Sequence, residues 1–321
     1  MKRFFLILMV FGGWCYGEDS PLPTKVSFEE TWGYLYKGEE SFLNGTEPLT
    51  DICYFSAQLN DIGRLEETMA PPTLPGRLGQ QARLHLVISA PASKTLMYFC
   101  LHKDLQTRTD LLKDIVRLSD AFQGVQIDFE SIRPEDSSAF LSFLSGLRGQ
   151  LNRQKILSVA VPARTTLKYD AFSYGGIAAI VDKVIVMAYD EHWRTGPPGP
   201  IASTQWCEKV GRFAITHIPA QKLVMGLPLY GRVWQKEDIA RALKYPETLQ
   251  LWERNRPLLK RLHDGTPFFS FKQQINAIVY YEDLRSLTNK LSLYHQMGIQ
   301  GVGFWRIGQG PAALWEQLGV E

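Results

Sequence analysis

Short apolar runs rich in β-branched and aromatic residues recur along the chain: TWGYLY (31–36), DICYFS (51–56), LHLVIS (84–89), GVQIDF (124–129), ILSVAV (156–161), KVIVMAY (183–189), KLVMGLPL (222–229) and GVGFW (301–305). Runs of this length and composition predict strands. Between them the period changes. After Pro134, in the start signal RPEDSS, residues Phe140, Leu141, Phe143, Leu144, Leu147 and Leu151 follow at three-to-four spacing, which predicts an amphipathic helix. The intervals 201–217 (Trp206, Val210, Phe213, Ala214) and 283–297 (Leu284, Leu287, Leu291, Tyr294) repeat that pattern.

Strand followed by helix, repeated, requires parallel strands joined by helical crossovers. Eight such units predict an α/β chain folded as a (β/α)8 TIM barrel. An open doubly wound sheet would show a glycine fingerprint after an early strand, and no GxGxxG is present. The stretch at about 235–282 is too long for one crossover. A helical segment near 237–263, then TPFFSF and NAIVYYED as a hairpin, with Gly265 and Gln273–Gln274 as punctuation, predict a small α+β insertion between strands seven and eight.

Composition narrows the picture. At 321 residues, 45% hydrophobic and 21% charged, the chain has ample core for one large domain. Lys plus Arg (35) nearly balances Asp plus Glu (33), and no basic run interleaves with aromatics, which argues against a nucleic-acid partner. The opening MKRFFLILMVFGGWCYGEDS has a basic start, an apolar run too short to span a bilayer and small residues leading to Gly17. Residues 1–17 are therefore expected to be a signal peptide, leaving 18–321 as a barrel that is exported, either secreted or kept in the cell envelope. Trp14 stands where a lipoprotein signal needs a small residue, so cleavage near Gly17 ranks above an anchor on Cys15. The rest of the chain has no membrane-spanning run, and a monomer is expected. Cys53, Cys100 and Cys207 lack the spacing of a metal site, and the histidines are scattered; buried thiols, with room for one disulfide, and no metal or cofactor are expected.

The run GVQIDFES carries the candidate chemistry. In a strand, Val125, Ile127 and Phe129 face one side, and Gln126, Asp128 and Glu130 the other. Under helices the apolar set is outward, so the polar set points into the barrel near the carboxyl end of a strand, where barrel enzymes place their reactive groups. Carboxylates two residues apart raise each other's pKa, so one can remain protonated as a general acid. The plain alternative is a polar layer satisfied inside the barrel. Two acids projecting the same way from one strand do not straddle a sugar ring as glycosidase carboxylate pairs do, so a glycosidase built on them needs a nucleophile from elsewhere, and a substrate N-acetyl group would serve.

GVQIDFE resembles the DGxDxDxE motif of glycoside hydrolase family 18, the chitinase-like hydrolases. MAYD (187–190), GLPLYGR (226–232), YEDLRSLTNKL (281–291) and GVGFWRIG (301–308) are similar to later segments of that family, in the same order, so the resemblance covers most of the chain from about Thr31. YDEHWRTGPPGPIAS and IPAQKLVMGLPLYG look most like the bacterial branch containing spore-cortex-lytic N-acetylglucosaminidases. The resemblance implies Glu130 as acid/base, Asp128 as the group that orients the substrate acetamide, and Tyr189 as donor to the acetamide oxygen. It further implies that Asp190 contacts the sugar chain, that Trp305 floors the pocket, and that Met187, Tyr230, Gln126, Tyr34 and Phe55 line it. The motif departs from the family at Gln123 and Gln126, each standing where the family has Asp; Gln126 exchanges hydrogen bonds but takes no proton. The implied activity is hydrolysis of β-1,4 bonds in N-acetylglucosamine-containing polymers, peptidoglycan or chitin, by a substrate-assisted retaining mechanism. The alternative is a chitinase-like carbohydrate-binding protein with little or no turnover, against which the presence of Glu130 argues.

Overall fold

The computed structural model describes residues 22–65, 70–235, 240–272 and 276–320. The proposed leader, 1–17, and the Gln273–Gln274 turn lie outside the described residues. In chain order the strands begin with β1 (Val26–Phe28), β2 (Glu30–Tyr36), β3 (Asp51–Gln58), β4 (Arg83–Ser89), β5 (Gly124–Asp128), β6 (Ile156–Pro162), β7 (Lys183–Met187) and β8 (Leu223–Pro228). An inserted group follows: β9 (Tyr230–Gln235), β10 (Arg241–Lys244), β11 (Lys260–Arg261), β12 (Pro267–Lys272) and β13 (Asn276–Tyr280). The last two are β14 (Gly301–Trp305) and β15 (Leu318–Val320). The helices are α1 (Leu78–Gln81), α2 (Lys94–Leu101), α3 (Gln106–Leu118), α4 (Ser137–Gln150), α5 (Tyr174–Ala178), α6 (Thr204–Ile215), α7 (Tyr245–Asn255) and α8 (Leu284–Gln296).

Eight parallel strands close in the order β14-β2-β3-β4-β5-β6-β7-β8. These are the eight runs read from the sequence, and the (β/α)8 barrel is the fold. Period-two alternation sorts each strand. Val125 and Ile127 face outward into the layer beneath the helices, joined there by Phe140, Phe143, Leu144 and Leu147 of α4. Each such side chain, fully buried, contributes about 1.5–3 kcal/mol. Trp32, Tyr34, Cys53, Phe55, Val87, Ile185 and Val224 pack inside the barrel instead. The end of the barrel away from the cleft is polar. Asp51 accepts from Arg83 through both carboxylate oxygens (2.8 and 2.7 Å) and contacts His85 at 2.7 Å, while Glu30 meets Arg83 at 2.9 Å and Lys183 at 2.7 Å. Gly124 makes this possible, because a Cβ there would stand 2.2 Å from the His85 ring.

The inserted strands form an antiparallel sheet in the order β10-β9-β13-β12-β11, with Val233, Leu243, Phe269, Ala277 and Val279 in its core. The expected hairpin is β12–β13. Two details differ from the sequence reading. The sheet takes in Tyr230–Gln235, upstream of about 235, and the helix is confined to Tyr245–Asn255 rather than 237–263. Lys260 and Arg261, inside the helical segment expected near 237–263, sit in the short strand β11. Cys53, Cys100 and Cys207 are free and buried.

Candidate active site

The carboxyl ends of the barrel strands surround a cleft of about 350 Å³. β5 delivers Asp128 as its last residue and Glu130 two positions on; β7 and the turn after it deliver Met187, Tyr189 and Asp190; β2 and β14 deliver Tyr34 and Trp305. Tyr230, from the first inserted strand, completes the wall. Of the residues named from sequence, Gln126 and Phe55 are not on the lining. Gln126 lies one layer deeper, fully buried, its amide nitrogen 3.4 Å from Cys53 Sγ and 3.3 Å from Ser158 Oγ. Phe55 stands behind the cleft, edge-on to Trp305 at 5.0 Å and stacked on Tyr36 at 4.9 Å.

The electrostatics separate the three carboxyl groups. Burial, then the neighbouring charge of Glu130, push Asp128 up to about 7, and its Oδ1 has no hydrogen-bond partner among the described residues. Glu130, at the cleft surface, is raised from the ordinary carboxylate range, first by partial withdrawal from solvent and then by the negative charge of Asp190. Asp190 itself is fully engaged. Arg232 donates to both of its oxygens (2.7 and 2.8 Å), and the Tyr230 hydroxyl donates to Oδ1. These bonds hold Asp190 at φ 60°, in the left-handed region. Burial, ahead of the surrounding tyrosine and carboxylate charges, drives the Tyr189 phenol far above its usual range and keeps it a hydrogen donor.

Trp305 is braced by Tyr34 (5.3 Å), Phe55 and Tyr36 (6.0 Å), so its indole is fixed as a wall. Arg306 follows it, stacked over Tyr36 at 4.1 Å and donating to Glu39 at 3.0 Å. Arg232, Ala242, Arg306 and Gln309 line the cleft without having been singled out from sequence. For Arg232 a signal existed: a lone cation closing the apolar run GLPLYGR. Among the described residues, no group of three or more His, Cys, Asp or Glu is placed to hold a metal ion, and no helix is long and apolar enough to cross a membrane.

Comparison with known proteins identifies the family and agrees with the barrel fold. The model of the glycosyl hydrolases family 18 matches residues 31–310. A Bacillus subtilis (strain 168) glycosylase, YdhD, is 30% identical over 266 residues, which is 79% of this chain but 62% of the relative. A cortical fragment-lytic enzyme of Bacillus anthracis is 26% identical over 308 residues, covering 87% of this chain and 70% of the relative. The crystal structure of the Bacillus cereus spore cortex-lytic enzyme SleL superposes with a TM-score of 0.80 at 26% identity, over 92% of this chain and 75% of that one. With the family model spanning the barrel from its first strand past its last, the chain belongs to the glycosyl hydrolases family 18.

Proposed function

We propose that this protein is an exported, monomeric glycosidase that hydrolyses β-1,4 bonds of N-acetylglucosamine-containing polymers of peptidoglycan or chitin, with the acetamide of the substrate as nucleophile and net retention. The relatives named for spore-cortex lysis support the class of polymer. The placement of the three carboxyl groups on the cleft is the observation that carries the mechanism. Asp128 and Glu130 leave the same strand end side by side, and Asp190 is occupied by Arg232 and Tyr230. No carboxylate among the described lining residues is left to attack from the opposite face, as a retaining enzyme with a protein nucleophile would require.

In this reading a sugar sits against Trp305 with its acetamide turned down toward Asp128 and Tyr189. Glu130, whose raised pKa favours the protonated form, donates its proton to the glycosidic oxygen as the acetamide oxygen closes on the anomeric carbon and the glycosidic bond breaks. Asp128 accepts from the acetamide N–H and fixes its orientation, and the Tyr189 hydroxyl donates to the acetamide oxygen. Water then opens the cyclic intermediate, with Glu130 acting as base.

The test is release of reducing ends from purified peptidoglycan glycan and from a chitin oligomer. Glu130→Gln is expected to reduce the rate by about 10²–10⁴-fold. A loss of less than about tenfold would remove Glu130 from the acid/base role. A stable thiazoline analogue of the cyclic intermediate should inhibit competitively, and failure to bind would remove the acetamide mechanism.

A further inference from the structure

The two ends of the cleft are built differently. Past Glu130 it continues into a second hollow of about 490 Å³, with which it shares Glu130, Met187, Tyr189 and Asp190. On the side of Trp305 it is lined by Ala242, Arg306 and Gln309. A polymer undergoing the proposed reaction lies across both. The sugar attacked at its anomeric carbon rests on Trp305, the leaving sugar lies past Glu130, and whatever precedes the attacked sugar, toward the non-reducing end, must pass Arg306.

Three chain segments are tied together at that point. Arg306, in the turn after β14, donates to Glu39 Oε1 at 3.0 Å and lies over the Tyr36 ring at 4.1 Å, so it grips the end of β2 and the loop that follows. Lys244, which ends β10, stands 3.6 Å from the same Glu39 oxygen, with its ammonium group over the Phe42 ring at 4.9 Å. The Tyr245 N–H donates to the Gln309 carbonyl at 2.7 Å, and Gly308 lets the turn close on Phe42, since a Cβ there would collide with that ring. The loop after β2 is itself pinned. The Tyr54 hydroxyl donates to Glu40 Oε1 at 2.7 Å, and Glu47 accepts the Asn44 and Gly45 N–H groups, each at 2.9 Å. With the side chains of Arg306 and Glu39 only 19% and 18% exposed, Glu39 makes a packed bridge between the barrel rim and the inserted sheet.

We infer that this bridge ends the groove on the glycon side, so that the enzyme removes one or two sugars at a time from non-reducing chain ends; Arg306 contacts the terminal sugar, and Glu39 is the positioning residue that holds it. The inference rests on the reaction proposed above and concerns where along the polymer it takes place. The cleft, at about 350 Å³, is near the lower limit of ligand pockets, roughly 300–1,000 Å³, which leaves room for a short glycon and not for a run of rings. Arg306 Nε, buried and without an acceptor among the described residues, is a spare donor for such an end. A terminal hydroxyl that accepts from the guanidinium gains a charge-assisted bond. A chain that continued past this point would have to part Arg306 from Glu39 and leave two largely buried charges unpaired.

The experiment labels a long N-acetylglucosamine-containing oligomer at its reducing end and sizes the first labelled products. In the wild-type enzyme these should be shorter than the substrate by one or two sugars. In Arg306→Ala, cuts three or more sugars from the non-reducing end should become about tenfold more frequent, the worth of one hydrogen bond to a charged group. Glu39→Gln should move the pattern the same way. Product length is read per cut, so a loss of folded protein alone does not move it. First products shortened by three or more sugars in the wild type, or a pattern unchanged in either variant, overturn the inference. Turnover of no polymer would instead defeat the proposed reaction. Binding to Glu130→Gln then decides the inference separately: oligomers tethered through the reducing end should bind at least about tenfold more tightly than the same oligomers tethered through the non-reducing end, and equal binding, or none, overturns it.

Discussion

Asp128 carries a stability cost that can be measured. Its folded-state pKa of about 7 lies above that of an ordinary carboxyl, so the folded chain binds this proton more tightly than the unfolded chain. Stability therefore falls as pH rises from the usual carboxylate range to about 7, and the loss is complete above that. Asp128→Asn removes the titration. Its unfolding free energy should match that of the wild type near about pH 4 and exceed it by about 4 kcal/mol near about pH 8, in paired urea titrations. A gap of the same size at both pH values would show that burial of Asp128 is not the cause. At this scale the sequence was informative about direction and silent about depth. Alternation along GVQIDFE assigned Gln126, Asp128 and Glu130 to the interior, but one inward face runs from the cleft to the barrel's middle, and Gln126 falls below the surface that substrate reaches. The Asp190–Arg232 contact joins residues 42 positions apart, beyond any local pattern.

Among the elements, α8 shows how one helix is fixed at both its start and its buried face. Asp283 accepts the Ser286 N–H at 2.9 Å and the Ser286 hydroxyl accepts the Asp283 N–H at 3.0 Å, a reciprocal cap. One turn further, the fully buried Lys290 meets the equally buried Glu282 at 2.8 Å. Lys290→Met strands that carboxylate in the interior and should cost about 3–5 kcal/mol. Adding Glu282→Gln should recover most of the loss; a double variant no more stable than Lys290→Met would show that packing, not charge, sets the cost. The eight barrel strands were legible because each is a short apolar run ended by turn residues. The first inserted strand was not. Leu223–Pro228 and residues 230–234 are buried throughout, so the run reads as continuous, and only the pairing of β9 with β10 and β13 separates it from β8. The helix was overextended because Arg241–Lys244 and Lys260–Arg261 are polar, partly exposed strands without alternation strong enough to mark them.

Over the whole molecule, barrel closure is reinforced by a short parallel pairing between β1 and β15, with Val26 opposite Leu318 and Phe28 opposite Val320. Phe28 and Leu318 are each 2% exposed, so this seam belongs to the core. Phe28→Ala should cost about 3–5 kcal/mol in chemical denaturation. Glycan hydrolysis per folded molecule should be unchanged, since the seam precedes β2 and so lies at the end of the barrel opposite Glu130. A fall in specific activity as large as the fall in stability would tie the seam to the cleft. The same pairing fixes how the molecule meets anything joined to it. Because both described ends of the polypeptide run together beneath the barrel, a tether attached through either one pulls on the base and leaves the mouth pointing outward, toward a strand of glycan approaching from the other side.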